Sequence, residues 1–307
     1  MKLRLSTPLL ALVFALPAAA SVADPPRPHI VFILADDLGW NDVGYHRSEI
    51  RTPTIDRLAA EGAKLEQFYV QPVCTPTRGA LMTGRYPMRL GLGLGVIKPS
   101  SVYGLPLDER MLPQALTEAG YVTAITGKWH LGSGSPAYLP TARGFAHQFG
   151  FYLGATDYFT HERDGGLDWH RDDRALRQQG HATDLIAAEA VRLIEQQRAG
   201  QPLFLYVTFN APHTPLQATP EYLERYAHIQ DKRRRPHAAM VTQMDNAIAR
   251  ILRALEKKGL RERTLLVFMS DNGGNLPAGS NQPLRDQKGS VYEGGVRVPA
   301  LAVWPGK

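Results

Sequence analysis

Cys74 is the only cysteine among 307 residues, and it opens the segment Cys74-Thr75-Pro76-Thr77-Arg78-Gly79-Ala80-Leu81-Met82-Thr83-Gly84-Arg85. Pro76 suits the first turn of a helix, whose dipole then favours negative charge beside residue 74. Arg78, four residues on, lies near the face of residue 74 in such a helix. Two acidic segments complement this one. Ala35-Asp36-Asp37-Leu38-Gly39 follows an apolar run at 30–34, and Ser270-Asp271-Asn272-Gly273-Gly274 follows another at 265–269. Three carboxylates and an amide brought to one place repel unless protons or a cation neutralise them. Oxygen donors without His or Cys suit Ca²⁺ or Mg²⁺ better than zinc.

Two further segments carry cationic groups just past apolar runs, and a third leads toward one. Gly127-Lys128-Trp129-His130-Leu131-Gly132 follows residues 121–126, and Ala211-Pro212-His213-Thr214-Pro215-Leu216 follows 203–209. Gln287-Lys288-Gly289 leads toward a last run at 298–304. If the chain stays extended after Thr126, Lys128 and His130 face the same way. His161, His170, His181 and His237 lack this placement and read as surface or structural residues.

The elements that must position these groups follow from the same runs. They are continuous rather than alternating and rich in β-branched or aromatic residues, the pattern of buried parallel strands. Thr52, Pro53 and Gly62 punctuate a helix as cap, first turn and stop. Met240, Met244, Ile248, Ile251, Leu252 and Leu255 follow helical spacing and are expected to pack on the sheet. Strands alternating with helices predict an α/β fold: a mostly parallel central sheet flanked by helices, with functional groups beyond the carboxyl ends of the strands.

The glycines of Gly91-Leu92-Gly93-Leu94-Gly95 lack the spacing of a nucleotide-binding loop and read as a flexible turn. Arg233-Arg234-Arg235 is the one dense basic run and reads as a solvated surface segment. No nucleic-acid motif accompanies it, so no nucleic-acid partner is expected.

With 44% hydrophobic and 21% charged residues, the chain can build a sizeable core and carries no bias toward disorder. Residues 1–23 combine a basic start, an apolar stretch from Pro8 to Ala20 and the small residues Ser21-Val22-Ala23, the pattern of a signal peptide. Residues 24–307 would then be one catalytic domain in an exported protein, periplasmic or secreted. The apolar stretch is shorter than a membrane-spanning helix needs, so no stable membrane insertion is expected. Cleavage would remove Lys2 and Arg4 and lower the formal charge from +6 to +4, a weak preference for anionic substrates. A single cysteine permits no disulfide within an exported chain, so Cys74 needs another explanation.

Cys74-x-Pro76-x-Arg78, continued by Gly79 and Thr83-Gly84-Arg85, resembles the signature of the formylglycine-dependent sulfatases, in the alkaline phosphatase superfamily. The segments around Lys128, His213 and Lys288 resemble active-site segments of that family. Pro106-Leu107-Asp108-Glu109, Thr141-Ala142-Arg143-Gly144-Phe145 and Glu293-Gly294-Gly295-Val296-Arg297 look most like the arylsulfatase B branch, which includes N-acetylgalactosamine-4-sulfatases. The resemblance implies hydrolysis of aryl or sugar sulfates, and oxidation of Cys74 to formylglycine by a formylglycine-generating enzyme.

It also implies a calcium ion, with magnesium as the alternative, held by Asp36, Asp37, Asp271, Asn272 and residue 74. Lys128 and Lys288 would clamp the sulfate, and Arg78 would hold the hydrated aldehyde. His130 would serve as base and His213 as acid, or the reverse. The chain lacks the cysteines that form disulfides in animal members, which points to a bacterial origin. It ends where the family usually continues into a smaller C-terminal domain. A phosphoester or phosphonate hydrolase of the same superfamily, and a sulfated-glycan-binding module without catalysis, are the alternatives.

Overall fold

The computed structural model describes residues 27–93 and 95–307; the predicted signal peptide lies outside the described residues. In chain order the strands are β1 (His29–Asp36), β2 (Ala63–Lys64), β3 (Val122–Lys128), β4 (His147–Phe151), β5 (Glu162–Arg163), β6 (Gly166–Leu167), β7 (His170–Arg171), β8 (Arg174–Ala175), β9 (Leu203–Pro212), β10 (Thr264–Ser270) and β11 (Ala300–Val303). The helices are α1 (Pro53–Glu61), α2 (Cys74–Thr83), α3 (Leu112–Glu118), α4 (Ala182–Glu195), α5 (Pro220–Arg225), α6 (Arg234–Lys257) and α7 (Glu293–Val296). Among the described residues nine strands form one sheet in the order β2-β11-β10-β1-β9-β3-β4-β7-β8, and β5-β6 stand apart as a pair.

The middle of the sheet, β10-β1-β9-β3-β4, is parallel throughout. Its strands are apolar along their length because both faces are covered. Val31, Ile33 and Ala35 of β1 face a core shared with α1, α4 and α6, while Leu34 faces the opposite core with Met82 of α2. Every residue of β9 is buried.

The run at 298–304 departs from expectation, since β11 pairs with β10 antiparallel. A parallel neighbour requires a crossover, usually a helix, that carries the chain back to the strands' starting edge. Here residues 271–299 contain only the four-residue α7. The chain therefore re-enters the sheet from the edge at which β10 ended.

Local signals held in position but not always in mechanism. Thr52, Pro53 and Gly62 bound α1 as expected, yet the Thr52 side chain makes no cap bond. Its hydroxyl accepts from Gly44 N at 2.7 Å and donates to Asp56 at 3.0 Å. Asp245 of α6 caps the helix instead, accepting from Thr54 N at 3.1 Å and Ile55 N at 2.8 Å. The apolar positions of residues 240–255 are buried as their spacing predicted.

The basic run is corrected in part. Arg233 is exposed, but Arg234 turns inward with 13% of its side chain accessible and reaches Asp42 at 2.6 Å. His161, His181 and His237 are buried and structural, and His170 stacks on Tyr152. Among the described residues no helix is long and apolar enough to cross a membrane.

Parallel register aligns the ends of the strands. Leu34 and Gly127 both pair with Thr208, and Ala35 pairs with Ser270. Asp36, Lys128, the 208–213 segment and Asp271 therefore emerge along one edge. Gly127 is required there: its φ is +114°, and a Cβ would meet Thr208 O at 1.8 Å.

Candidate active site

Cys74 begins α2, and its side chain is buried. Its Sγ lies 3.6 Å from Asp36 Oδ1. Burial, opposed by Lys128 but reinforced by Asp36 and Asp271, pushes the thiol up to about 12. As a cysteine it stays protonated and is a poor nucleophile near neutrality. Thr75 anchors the start of the helix, with its hydroxyl donating to His130 O at 3.1 Å and accepting from Ile97 N at 3.2 Å.

Around residue 74 the predicted carboxylates converge. Asp37 adopts a left-handed backbone at φ +68°, a conformation Asp tolerates better than most residues. Lys128 Nζ sits 2.5 Å from Asp36 Oδ2, and Lys288 Nζ lies 2.6 Å from Asp37 Oδ1. Asp271 Oδ2 accepts from Arg78 Nε at 3.0 Å and Nη2 at 2.8 Å. Arg78 Nη1 donates to Thr208 Oγ1 at 2.5 Å and Lys128 O at 3.1 Å, so this guanidinium also ties three strand ends to α2.

The carboxylates have opposite protonation tendencies. Burial alone would raise Asp36 and Asp37, but Lys128 and Lys288 respectively, helped by His213, hold both below the usual aspartate range. Asp271 rises to about 6, because burial and the negative charge of Asp36 outweigh Arg78.

The donor set could hold a metal ion. Asp36, Asp37, Cys74 and His213 offer ligand atoms all within 4.8 Å of one another. Asn272 Nδ2 donates to Asp37 Oδ1 at 2.8 Å and to Gly273 O at 3.0 Å, while its Oδ1 is buried with no partner. A buried amide oxygen left over beside carboxylates is what an oxygen-seeking ion would satisfy. Asp271 stands outside the compact group of four, with Oδ2 accepting from Arg78 and Oδ1 from Asp37 N at 3.2 Å.

Both histidines reach the site, but not by the expected route. β3 ends at Lys128, and His130 takes φ +58°, so the extended-chain premise fails there. Nε2 of His130 lies 3.0 Å from Ile97 O, which only accepts, leaving Nδ1 as the buried, unpartnered lone pair. Burial, Lys128 and Arg78 keep this ring neutral. His213 Nδ1 lies 2.6 Å from Thr214 O and so carries the hydrogen, while Nε2 faces Asp37 Oδ2 at 3.8 Å. Burial lowers the His213 pKa despite Asp37 and Asp36.

Several supporting groups gave little signal in sequence. Tyr158 donates to Asn210 O at 2.7 Å and His213 O at 2.9 Å, fixing the turn that presents His213. Nothing near Tyr158 in the chain suggests this. For Thr75 the local signal is its place inside the Cys74 motif.

Comparison with known proteins agrees with this geometry. The family model described as Sulfatase matches residues 28–307. The chain belongs to the sulfatase family. It is 44% identical to Arylsulfatase J of Mus musculus over 288 residues, covering 91% of the chain and 48% of that protein. It is 37% identical to Arylsulfatase A of Homo sapiens over 336 residues, covering 96% and 62%. Among solved structures, Ps i-CgsB in complex with k-i-k-neocarrahexaose superposes with TM-score 0.86 at 37% identity, covering 91% of this chain and 66% of that one. The PsFucS1 sulfatase from Pseudoalteromonas sp. gives TM-score 0.78 at 30% identity, covering 91% and 62%. The chain thus spans about half to three fifths of the curated relatives it matches.

Proposed function

We propose that this chain hydrolyses sulfate esters, with formylglycine at position 74 as nucleophile and a calcium ion, or magnesium, beside it. The observation that carries the reading is the orphaned Asn272 Oδ1 among three buried carboxylates and three cations, of which Lys288 is partly exposed, gathered around Cys74. Asp36, Asp37, Asn272 and residue 74 would hold the ion, with Asp271 as a further ligand if it shares its oxygens with Arg78. Bound there, the cation supplies Lewis-acid polarisation of a sulfate oxygen and of the attacking hydroxyl. Formylglycine supplies, once hydrated, two hydroxyls on one carbon: one to attack sulfur, the other to help expel sulfate.

The remaining work falls to side chains already in place. Lys128 and Lys288 neutralise sulfate oxygens through donors fixed before substrate arrives. Arg78 orients residue 74 and Asp271. His130, neutral with a free Nδ1, can take a proton at residue 74 during sulfate release. His213 delivers a proton from Nε2 to the departing alcohol, which requires the imidazolium form. The alternative exchange of roles is less favoured, because His130 is the more completely buried and its Nε2 is committed to Ile97 O.

The substrate class we favour is a sulfated glycan. The neocarrahexaose complex of Ps i-CgsB supports it, as does 34% identity to human N-acetylgalactosamine-6-sulfatase. The arylsulfatase B-like segments, export by the N-terminal segment and maturation by a formylglycine-generating enzyme belong to the same reading. The test pairs sulfate release from nitrophenyl sulfate with peptide mass spectrometry of residue 74. Full activity from material containing only thiol at that position overturns the proposal.

A further inference from the structure

The loop after β1 and the loop after β10 carry opposite halves of the site. Asp37 leaves β1, and Lys288 ends the excursion that follows Asp271. Their contact at 2.6 Å is made across segments that share no strand pairing at that point. At the end of β10, Asp37 N donates to Asp271 Oδ1 at 3.2 Å and Leu38 N to Ser270 Oγ at 3.0 Å, while Gly289 N donates to Pro72 O at 2.8 Å, so contacts between loops set that spacing together with the sheet.

Between the two loops lies Asp42, whose side chain is fully buried. It accepts from the backbone of both: Gly39 N at 3.1 Å on one side, and Ser280 N at 3.1 Å to each oxygen on the other. Two side chains from α6 complete the shell, with His237 Nε2 at 2.9 Å and Arg234 Nη1 at 2.6 Å. Arg234 Nη1 also reaches Ala278 O at 3.0 Å, and Asn41 N donates to Ser280 O at 2.9 Å.

From Ser280 the connection continues to the lysine. Its neighbour Asn281 accepts from Gly274 N at 2.8 Å and donates to Gly274 O at 2.9 Å, the oxygen to which Lys288 N also donates at 3.2 Å. On the other side, Gly39 is two residues from Asp37, and a Cβ at Gly39 would stand 2.3 Å from Ser280 O. The loops meet backbone to backbone, with the Asp42 carboxylate as the common acceptor. Asp42 stays ionised there: burial would raise its pKa, but His237 and Arg234 hold it below the usual range.

We propose that Asp42, held by His237 and Arg234, is a positioning residue that helps set the separation of Asp37 from Lys288, and with it affinity for the cation and for sulfate. It touches neither. This inference rests on reading Asp37 as a metal ligand and Lys288 as a sulfate clamp. An amide at position 42 would turn a hydrogen-bond donor toward groups that are themselves donors, pushing the loops apart without changing side-chain volume.

The test measures calcium binding by calorimetry, together with KM and kcat for a sulfate ester, on Asp42→Asn, His237→Ala and His237→Gln in the full-length protein. Direct hydrogen-bond partners of metal ligands are worth roughly 10- to 100-fold in affinity, and Asp42 acts one contact further out, so the lower end of that range is expected. Asp42→Asn and His237→Ala should weaken calcium and raise KM by about tenfold while kcat falls less than about threefold. His237→Gln, which keeps a donor, should recover part of the loss. Asp37→Ala and Lys288→Ala serve as references: if they leave calcium binding and KM intact, the site reading itself fails. If they impair both while the folded Asp42 and His237 variants bind calcium and substrate like the parent, the brace is refuted. Should Asp42→Asn not fold, the His237 pair decides alone, and equal calcium affinity in His237→Ala and the parent overturns the inference.

Discussion

Two buried ionic clusters occupy different ends of the same sheet, and their states of saturation differ. At the amino end of β4, Glu189 accepts from His147 at 2.8 Å, Arg171 at 2.9 Å and Arg192 at 2.5 Å, and its pKa falls to about 2 as these partners overcome burial. At the carboxyl ends, Asp271 rises to about 6, Asn272 Oδ1 has no partner, and His130 Nδ1 is idle. Glu189 is satisfied by its own protein. The Asp271 cluster combines a raised carboxyl with unpartnered polar atoms, the pattern expected of a functional edge.

The largest expected effect tests this contrast at residue 74. Cys74→Ala should lower sulfate release by roughly 10⁶-fold, the scale for loss of a nucleophile, while Glu189→Gln leaves it within about twofold. Comparable losses in both, measured on folded protein, would erase the distinction.

His213 comes next. As general acid it matters in proportion to the basicity of the leaving alcohol, so His213→Ala should cost roughly 10²–10⁴-fold on a sugar sulfate and far less on nitrophenyl sulfate. Because burial lowers its pKa, kcat/KM on the sugar sulfate should fall as pH rises past a value below the usual histidine range. Equal loss on both esters with chemistry rate-limiting would reassign His213 to sulfate binding.

Calcium linkage sharpens the comparison with a smaller effect. The folded apoprotein holds the Asp271 proton more tightly than the unfolded chain does, so this group's contribution is fully favourable below the unfolded aspartate pKa. It is lost as pH rises from about 4 toward about 6. A bound cation would offset both the burial and the Asp36 repulsion behind that loss. Calcium should therefore raise the melting temperature more at pH 7 than at pH 5. An increment that is equal at both pH values, or larger at pH 5, would detach Asp271 from the metal site.

The smallest effect falls on the saturated cluster. Glu189→Gln should destabilise the fold by about 1–2 kcal/mol, since Arg171 and Arg192 remain partly exposed and keep much of their hydration. The Glu189 contribution is present above the unfolded glutamate pKa and is lost as pH falls toward about 2. Denaturant melts of the variant at pH 7 and pH 3 measure both.

Local physics made much of this protein legible in its sequence. Continuous apolar runs identified β1, β3, β9 and β10 because strands covered on both faces have no polar side to show. The carboxylates and cations just past those runs could be assigned to one edge because parallel strands all end there. The Cys74 segment was recognisable because its helix start and its chemistry lie within a few residues.

Groups whose roles depend on distant partners could not be read that way. Asp245 caps α1 across 190 residues, and Arg234 and His237 close on Asp42 from more than 190 residues away. The direction of β11 depended on the path of residues 271–299, and the presentation of His213 depended on Tyr158. Sequence determined which chemistry was present and on which edge, because periodicity and short motifs are local. Tertiary structure alone decided which charges are satisfied and which are left over, because pairing in a buried site is settled by chain segments that meet only after folding.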